Sequence, residues 1–104
     1  MANYVRVCAV SDILPGCAGY AEVDGLRIAL CHQDGAFYAV DDVCTHDGGP
    51  LDQGELDGFN IECPRHGAKF DIRTGRVTAL PAVMPIGVYA VKVEGDDVLV
   101  DVDS

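Results

Sequence analysis

Two short segments of the chain place a cysteine close to a histidine. They are Cys44-Thr45-His46 and Cys63-Pro64-Arg65-His66, separated by sixteen residues. Thiolate sulfur and imidazole nitrogen are side-chain groups that bind zinc and iron in proteins. Glycines follow both segments, Gly48-Gly49 after the first and Gly67 after the second, and they allow the backbone to pass close to a bound group. Two such loops therefore predict a metal site.

The pattern C-x-H-x16-C-x-x-H resembles the Rieske family of iron–sulfur proteins. The resemblance extends through the segments C-T-H-D-G-G-P-L and C-P-R-H-G-A-K-F-D. It implies one [2Fe–2S] cluster per chain, in which two cysteines hold one iron and two histidines hold the other. On that basis Cys44 and Cys63 bind the first iron, whereas His46 and His66 bind the second. Each loop then supplies one ligand of each kind.

A structural zinc site is the alternative for two cysteines and two histidines. The single residue between Cys44 and His46 is unusual for a zinc finger. The Gly-Gly-Pro and Cys-Pro-x-His-Gly segments are also more specific to the cluster, so the sequence favours it over a zinc-stabilised interaction module. The remaining cysteines are expected to pack as small apolar groups, and His32 is expected to be a surface or edge histidine.

The charge of the ligand set bears on the reduction potential of such a cluster. Two ferric ions, two sulfides and two thiolates sum to zero, so an electron is added more easily than to a cluster with four thiolates. Rieske potentials span roughly −150 to +300 mV, against about −400 mV for plant-type ferredoxins. High-potential relatives carry serine and tyrosine hydroxyls where this chain has Ala68 and Phe70, and a disulfide at the positions of Gly49 and Arg65. The resemblance therefore implies a potential near the low end of the range.

The resemblance also implies a function. Stand-alone Rieske proteins of this size are similar to the ferredoxin components of bacterial aromatic-ring-hydroxylating dioxygenases. These proteins pass single electrons from an NAD(P)H-dependent flavoprotein reductase to a terminal oxygenase. The expected partners are therefore these two proteins, bound transiently by a monomer that is not itself an enzyme. The alternative is a small Rieske subunit of a nitrite reductase or of another assimilatory redox complex.

Two patterns that are absent from the sequence agree with the function of an electron carrier. Once a cluster takes His46 and His66, only His32 remains, which is too few for the mononuclear iron site of two histidines and a carboxylate in an oxygenase. No Gly-x-Gly-x-x-Gly segment is present to bind a dinucleotide. Hydride chemistry and oxygen chemistry are therefore expected on other proteins.

The composition predicts one small globular domain. Of 104 residues, 49% are apolar and 23% are charged, a balance that is too hydrophobic for disorder. The net charge of −10 disfavours nucleic acid and anionic membranes as partners. Five cysteines are an odd number, which argues against a disulfide framework. The chain shows neither a long apolar span nor a signal segment, so a cytoplasmic location is expected.

Short strands, in which residues alternate between the two faces of a sheet, must position the two loops. The predicted strands are 5–10, 20–23, 26–31, 36–40, 60–63, 69–72, 76–80, 87–93 and 98–102, with a helical turn at 12–14. The pairs Asp24-Gly25 and Asp34-Gly35 predict tight hairpin turns, because such pairs supply positive φ angles. The expected fold is the all-β Rieske fold, a single domain over 1–104. Its antiparallel β-sandwich-like base comprises about 1–40 and 83–104, and a smaller cluster-binding lobe is inserted at about 41–82. Within the lobe, Pro81 is the candidate for the proline loop that covers the cluster in this family.

Charge is distributed unevenly along the lobe. Residues 41–62 contain seven acids and no base, whereas 65–76 contain four bases and one acid. Two interpretations are open: an ordinary solvated surface, or a polarised face that orients redox partners.

Overall fold

The computed structural model describes residues 3–44, 49–52, 54–64, 67–80 and 84–102. These residues form ten β-strands and one short 3-10 helix at Val10–Asp12. The strands are β1 (Val5–Ala9), β2 (Cys17–Val23), β3 (Leu26–Gln33), β4 (Ala36–Asp41), β5 (Leu56–Asp57), β6 (Asn60–Glu62), β7 (Lys69–Asp71), β8 (Val77–Ala79), β9 (Val88–Glu94) and β10 (Asp97–Asp101). No helix within the described part of the chain is long and apolar enough to cross a membrane.

The larger sheet has six antiparallel strands in the order β1-β10-β9-β4-β3-β2. Its two outer strands, β1 and β2, also approach each other, so the sheet curls towards a barrel. The smaller sheet has four strands in the order β5-β6-β7-β8. All of its strands lie between β4 and β9 in the sequence, which confirms the predicted all-β architecture with a smaller inserted sheet.

Two tight turns set the register of the central strands. Asp24 and Gly25 have φ angles of 51° and 82°, and Asp34 and Gly35 have φ angles of 57° and 80°. Two consecutive residues with positive φ make a turn whose twist matches that of a β-hairpin. The turns join β2 to β3 and β3 to β4, as the Asp-Gly pairs in the sequence predict.

The remaining predicted elements differ from the structure only in detail. β6, β7 and β8 fall within the predicted strands, whereas the two-residue strand β5 was not predicted because it is too short to show alternation. The 3-10 helix ends at Asp12, earlier than expected, because Ile13 is extended and buries its side chain in the core.

The described residues contain two buried apolar clusters, and β3 contributes to both. Ile28 and Leu30 belong to the cluster inside the larger sheet, whereas Ala29 and Cys31 belong to the cluster that joins the two sheets. Alternate side chains of a strand point to opposite faces, so β3 is covered on both faces. The second cluster, here called the intersheet core, comprises Ala29, Cys31, Val40, Cys44, Leu51, Ile61, Cys63, Ala68, Phe70, Ile72 and Ile86.

Candidate metal centre

The two cysteines of the predicted metal site lie on loops of similar construction. Cys44 follows β4, and its amide donates a 2.7 Å hydrogen bond to the carbonyl of Gly49. Cys63 follows β6, and its amide donates a 2.7 Å hydrogen bond to the carbonyl of Ala68. The amide of Gly67 closes the second loop further with a 3.1 Å bond to the Cys63 carbonyl. In each loop, the hydrogen bond spans the positions of the predicted histidine.

The structure brings both cysteines into the intersheet core, where their exposed fractions are 0% and 1%. His46 and His66 lie outside the described residues, as does Pro81. Cys44 and Cys63 fit the cysteine half of a cluster site, because both are buried, neither forms a disulfide and thiolate is a preferred ligand of iron–sulfur clusters. Ala68 and Phe70 are fully buried in the same core, and neither side chain offers a hydroxyl there.

The other three cysteines have different surroundings. Cys31 is fully buried in the intersheet core, and burial together with the Asp42 carboxylate raises its pKa to about 12. Cys8 is half-buried, with a pKa that is raised mainly by burial, and Cys17 is exposed. Among the described residues, no group of three cysteines, histidines or carboxylates is close enough to hold a metal ion. Cys31 therefore does not complete a three-ligand site with Cys44 and Cys63.

The expectation that His32 is a surface or edge histidine is wrong. Its side chain is buried, its Nδ1 lies 2.8 Å from the carbonyl oxygen of Ile13, and its ring stacks on Phe37 at 4.2 Å. The amide of Gly16 also donates to the His32 carbonyl at 2.7 Å. His32 thus fixes the segment that leads into β2.

A buried carboxylate anchors the loop of Cys44. Asp42 has no exposed side-chain surface, and its Oδ1 accepts hydrogen bonds from the amides of Leu51 and Asp52, each at 2.7 Å. Its Oδ2 accepts a 2.5 Å bond from Nε of Arg27. Burial raises the pKa of Asp42 above its ordinary value, and the bond from Arg27 opposes that shift. In the sequence, Asp42 is one acid among several, so no local pattern indicates this anchor.

The neighbouring carboxylate of Asp41 anchors a different segment. It accepts hydrogen bonds from the Tyr89 hydroxyl and, at 2.9 Å, from the Gly87 amide. The Asp41 amide donates a 2.9 Å hydrogen bond to the Gly87 carbonyl. Burial, together with the Asp41 carboxylate, raises the pKa of Tyr89 to about 12. Asp41, the last residue of β4, therefore anchors the segment that follows the smaller sheet, and Asp42, the next residue, anchors the Cys44 loop.

A close backbone approach connects the two loops. A Cβ atom on Gly54 would lie only 1.7 Å from the carbonyl oxygen of Glu62, the residue before Cys63. The amide of Glu62 donates a 2.9 Å bond to the Glu55 carbonyl, and the Gly54 amide donates a 2.9 Å bond to the Leu51 carbonyl. Only glycine fits between the segment leaving the first loop and the strand entering the second.

The described acids of residues 41–62 have different surroundings. Asp42 and Asp52 are buried, and Asp57 pairs with Lys69 at 2.8 Å. Asp41 is bonded as described above, Glu62 is half-buried and Glu55 is exposed. Asp42 and Asp52 therefore serve the fold, whereas Glu55 and Asp57 face solvent, and a polarised face that orients redox partners stays a prediction.

The fold and the site together define a class: an all-β protein with two sheets and a buried pair of cysteines on facing loops. The family model of the Rieske [2Fe-2S] domain matches residues 3–95. The chain belongs to the Rieske family.

Known relatives align with nearly the whole chain. The ferredoxin component of biphenyl 2,3-dioxygenase from Rhodococcus jostii (strain RHA1) is 41% identical over 99 residues, which cover 95% of this chain and 92% of the relative. The ferredoxin of carbazole 1,9a-dioxygenase from Nocardioides aromaticivorans IC177 superposes with a TM-score of 0.91 at 36% identity, covering 96% and 98% of the two chains. A chain in the complex of reduced oxygenase and oxidized ferredoxin of carbazole 1,9a-dioxygenase has a TM-score of 0.88 at 38% identity, covering 94% and 92%.

Proposed function

We propose that this protein is the one-electron carrier of an aromatic-ring-hydroxylating dioxygenase system. It accepts electrons from an NAD(P)H-dependent flavoprotein reductase and delivers them to a terminal oxygenase. The observation that carries this proposal is the 41% identity, over 95% of the chain, to the ferredoxin component of a biphenyl dioxygenase. The burial of Cys44 and Cys63 in one core supports it independently, since a carrier needs its thiolate ligands held away from water.

The cofactor in this proposal is one [2Fe–2S] cluster, with Cys44 and Cys63 on one iron and His46 and His66 on the other. When bound, such a cluster supplies a one-electron redox couple. The chain itself buries the two cysteines, closes both loops through backbone hydrogen bonds and anchors the first loop through Asp42. These contacts hold the ligands in place before and after electron transfer. They therefore lower the reorganisation energy of each transfer.

The potential is proposed to lie near the low end of the Rieske range. Ala68 and Phe70 stand where high-potential relatives carry hydroxyl groups, and both are buried in the core with the two cysteines. A hydroxyl that donates to cluster sulfur favours the reduced form, because reduction adds negative charge. Without such donors at these two positions, reduction is less favourable.

The partners are proposed to bind transiently to a monomeric, cytoplasmic carrier. Redox encounters use small interfaces, since the carrier must leave one partner before it reaches the other. The similarity to a chain in the solved complex of oxygenase and ferredoxin from carbazole 1,9a-dioxygenase supports a terminal oxygenase as one partner. The reductase is inferred from the need for a one-electron donor to the carrier.

The test begins with iron and acid-labile sulfide analysis of the purified protein. The proposal expects a brown protein with one [2Fe–2S] cluster per chain. It also expects the protein to restore electron flow between an NADH-reduced flavoprotein reductase and a ring-hydroxylating oxygenase, with His66→Ala as the control that lacks a ligand. A colourless zinc protein without sulfide would overturn the proposal. Stable copurification with a large catalytic subunit would instead indicate an assimilatory redox complex.

A further inference from the structure

One guanidinium group bridges the two ends of the segment that carries Cys44. Arg27 donates from Nε to Asp42 at 2.5 Å and from Nη2 to Asp52 at 3.2 Å. The side chains of Asp42 and Asp52 are only 0% and 4% exposed, whereas that of Arg27 is 42% exposed. A single surface cation therefore bridges two carboxylates that are both withdrawn from water, and it offsets one of their two negative charges.

The bridge adds a side-chain connection to a loop that the backbone bond from Cys44 to Gly49 also closes. Asp42 lies two residues before Cys44, and Asp52 lies three residues after Gly49, where the hydrogen bond from the Cys44 amide ends. The Asp42 carboxylate also accepts both amides at the far end, from Leu51 and Asp52. The start and the end of the loop thus meet at one carboxylate, and Arg27 joins that carboxylate to its neighbour.

Arg27 is itself held in place. It extends from β3, and its guanidinium lies 3.9 Å from the centre of the Tyr20 ring on the paired strand β2. A planar guanidinium can stack on an aromatic ring and still donate two hydrogen bonds in fixed directions. Lysine offers a single ammonium on a flexible stem, so it can satisfy one of the two carboxylates but reproduces neither the fork nor the stacking.

We infer that Arg27 is a positioning residue for the first ligand loop, acting on Cys44 and His46 through Asp42 and Asp52. The inference rests on the proposed function, because it takes Cys44 and His46 as cluster ligands. Loss of Arg27 leaves two buried carboxylates side by side without their shared cation. Their repulsion loosens the hydrogen bonds to Leu51 and Asp52, so the loop holds the cluster less firmly.

The experiment compares holoprotein variants Arg27→Gln and Arg27→Lys with the control Arg6→Gln. Arg6 also donates from Nε to an aspartate, Asp97 at 2.7 Å, but both side chains are more than half exposed and lie on β1 and β10. Loss of iron to a chelator should be roughly 10- to 100-fold faster in R27Q, since removing a group that orients a ligand typically weakens metal binding by this factor. R27K should fall between R27Q and wild type, and R6Q should stay within about twofold of wild type.

Two further readouts separate positioning from general stability. Hydrogen–deuterium exchange should accelerate in the peptide containing Leu51 and Asp52 and stay unchanged in the β9–β10 hairpin. The electron paramagnetic resonance lines of the reduced cluster should broaden in R27Q but not in R6Q. If R27Q loses iron at the wild-type rate with unchanged lines, the inference is overturned and the proposed function stands. A wild-type protein without iron and sulfide would overturn both.

Discussion

The amide of Cys44 donates a 2.7 Å hydrogen bond to the carbonyl of Gly49, which closes a loop five residues along the chain. The second loop repeats this connection from Cys63 to Ala68, also at 2.7 Å. The two segments differ in sequence and enter from different sheets, yet both bury the cysteine at the start of the loop. Each closed loop also spans the proposed histidine ligand. The two loops, each with one cysteine and one proposed histidine ligand, therefore share the same backbone hydrogen bond.

Replacement of one proposed histidine ligand should lower the reduction potential. In His46→Cys a thiolate replaces a neutral imidazole, so the cluster gains a negative charge and becomes harder to reduce. The potential should move from the Rieske range towards the roughly −400 mV of clusters with four cysteines. A redox titration followed by absorption measures the shift. Cys17→Ser is the control, because Cys17 is exposed. The cluster of this variant should have the wild-type reduction potential. An unchanged potential in an intact H46C cluster would contradict the ligand assignment.

A hydroxyl at position 68 should raise the potential. Ala68 is fully buried in the intersheet core with both cysteines, and Ala68→Ser adds a donor at the position where high-potential relatives carry serine. If the new bond is stronger in the reduced state by about 1.4 kcal/mol, the potential rises by about 60 mV. The matched control is Ala79→Ser on β8, outside this core, which should leave the titration midpoint unchanged. A midpoint in A68S at or below that of wild type would refute the explanation given for the proposed low potential.

The sequence predicted those parts of the fold that depend on neighbouring residues. The Asp24-Gly25 pair forms a hairpin turn as expected, because positive φ is a local requirement that these residue types satisfy. The contacts of His32 could not be predicted, since its partner Ile13 is nineteen residues away in a loop without periodicity. The same holds for Arg27 and Asp42, which meet only after β3 and β4 have paired. Long-range polar pairs depend on the assembled sheet and leave no pattern in the sequence.

Gly54→Ala should be strongly destabilising. The added methyl group would lie 1.7 Å from the carbonyl oxygen of Glu62, so the backbone must move apart where the two loops meet. We expect a loss of about 3 kcal/mol, at the upper end of overpacking, together with faster loss of the cluster. Gly58→Ala is the control: Gly58 has a φ of 60° but open space around it, so the loss should be only about 1 kcal/mol. Thermal denaturation measures both, and equal losses would contradict the close approach.

Alkaline pH should destabilise the wild type more than Tyr89→Phe. Burial, together with the hydrogen bond to Asp41, raises the pKa of Tyr89 to about 12 in the folded state, compared with about 10 in an unfolded chain. The fold therefore favours the protonated phenol. Its stabilising contribution is complete below the unfolded pKa and is lost as the pH rises from about 10 to about 12. Phenylalanine cannot ionise, so the melting temperature of Y89F should fall less steeply over this window.

The comparison between wild type and Y89F isolates Tyr89 because other groups that titrate in the same window are common to both proteins. Lys69, whose pKa is raised by its bond to Asp57, is one of them. Tyr4→Phe serves as a second control, since its ring lies under Lys92 and no hydroxyl contact to Asp41 is removed. Parallel melting curves for wild type and Y89F up to about pH 11.5 would show that the Tyr89–Asp41 bond does not contribute as described.

Electron transfer to the partners should slow as salt is added. The protein carries a net charge of −10, and Glu55 is a solvated acid beside the second loop, where it lines a cavity of about 290 Å³ with Glu62 and Cys63. Opposite charge on a partner accelerates encounter, and dissolved ions screen that attraction beyond about 10 Å at 0.1 M. Glu55→Gln should lower the second-order rate constant roughly twofold and reduce its salt dependence, whereas Glu22→Gln on β2 should change neither. Stopped-flow reduction by the proposed reductase at several ionic strengths measures both quantities. A rate constant that does not change with ionic strength would show that charge does not steer these encounters. Equal effects of E55Q and E22Q would show that steering acts through the whole surface and not through the face beside Cys63.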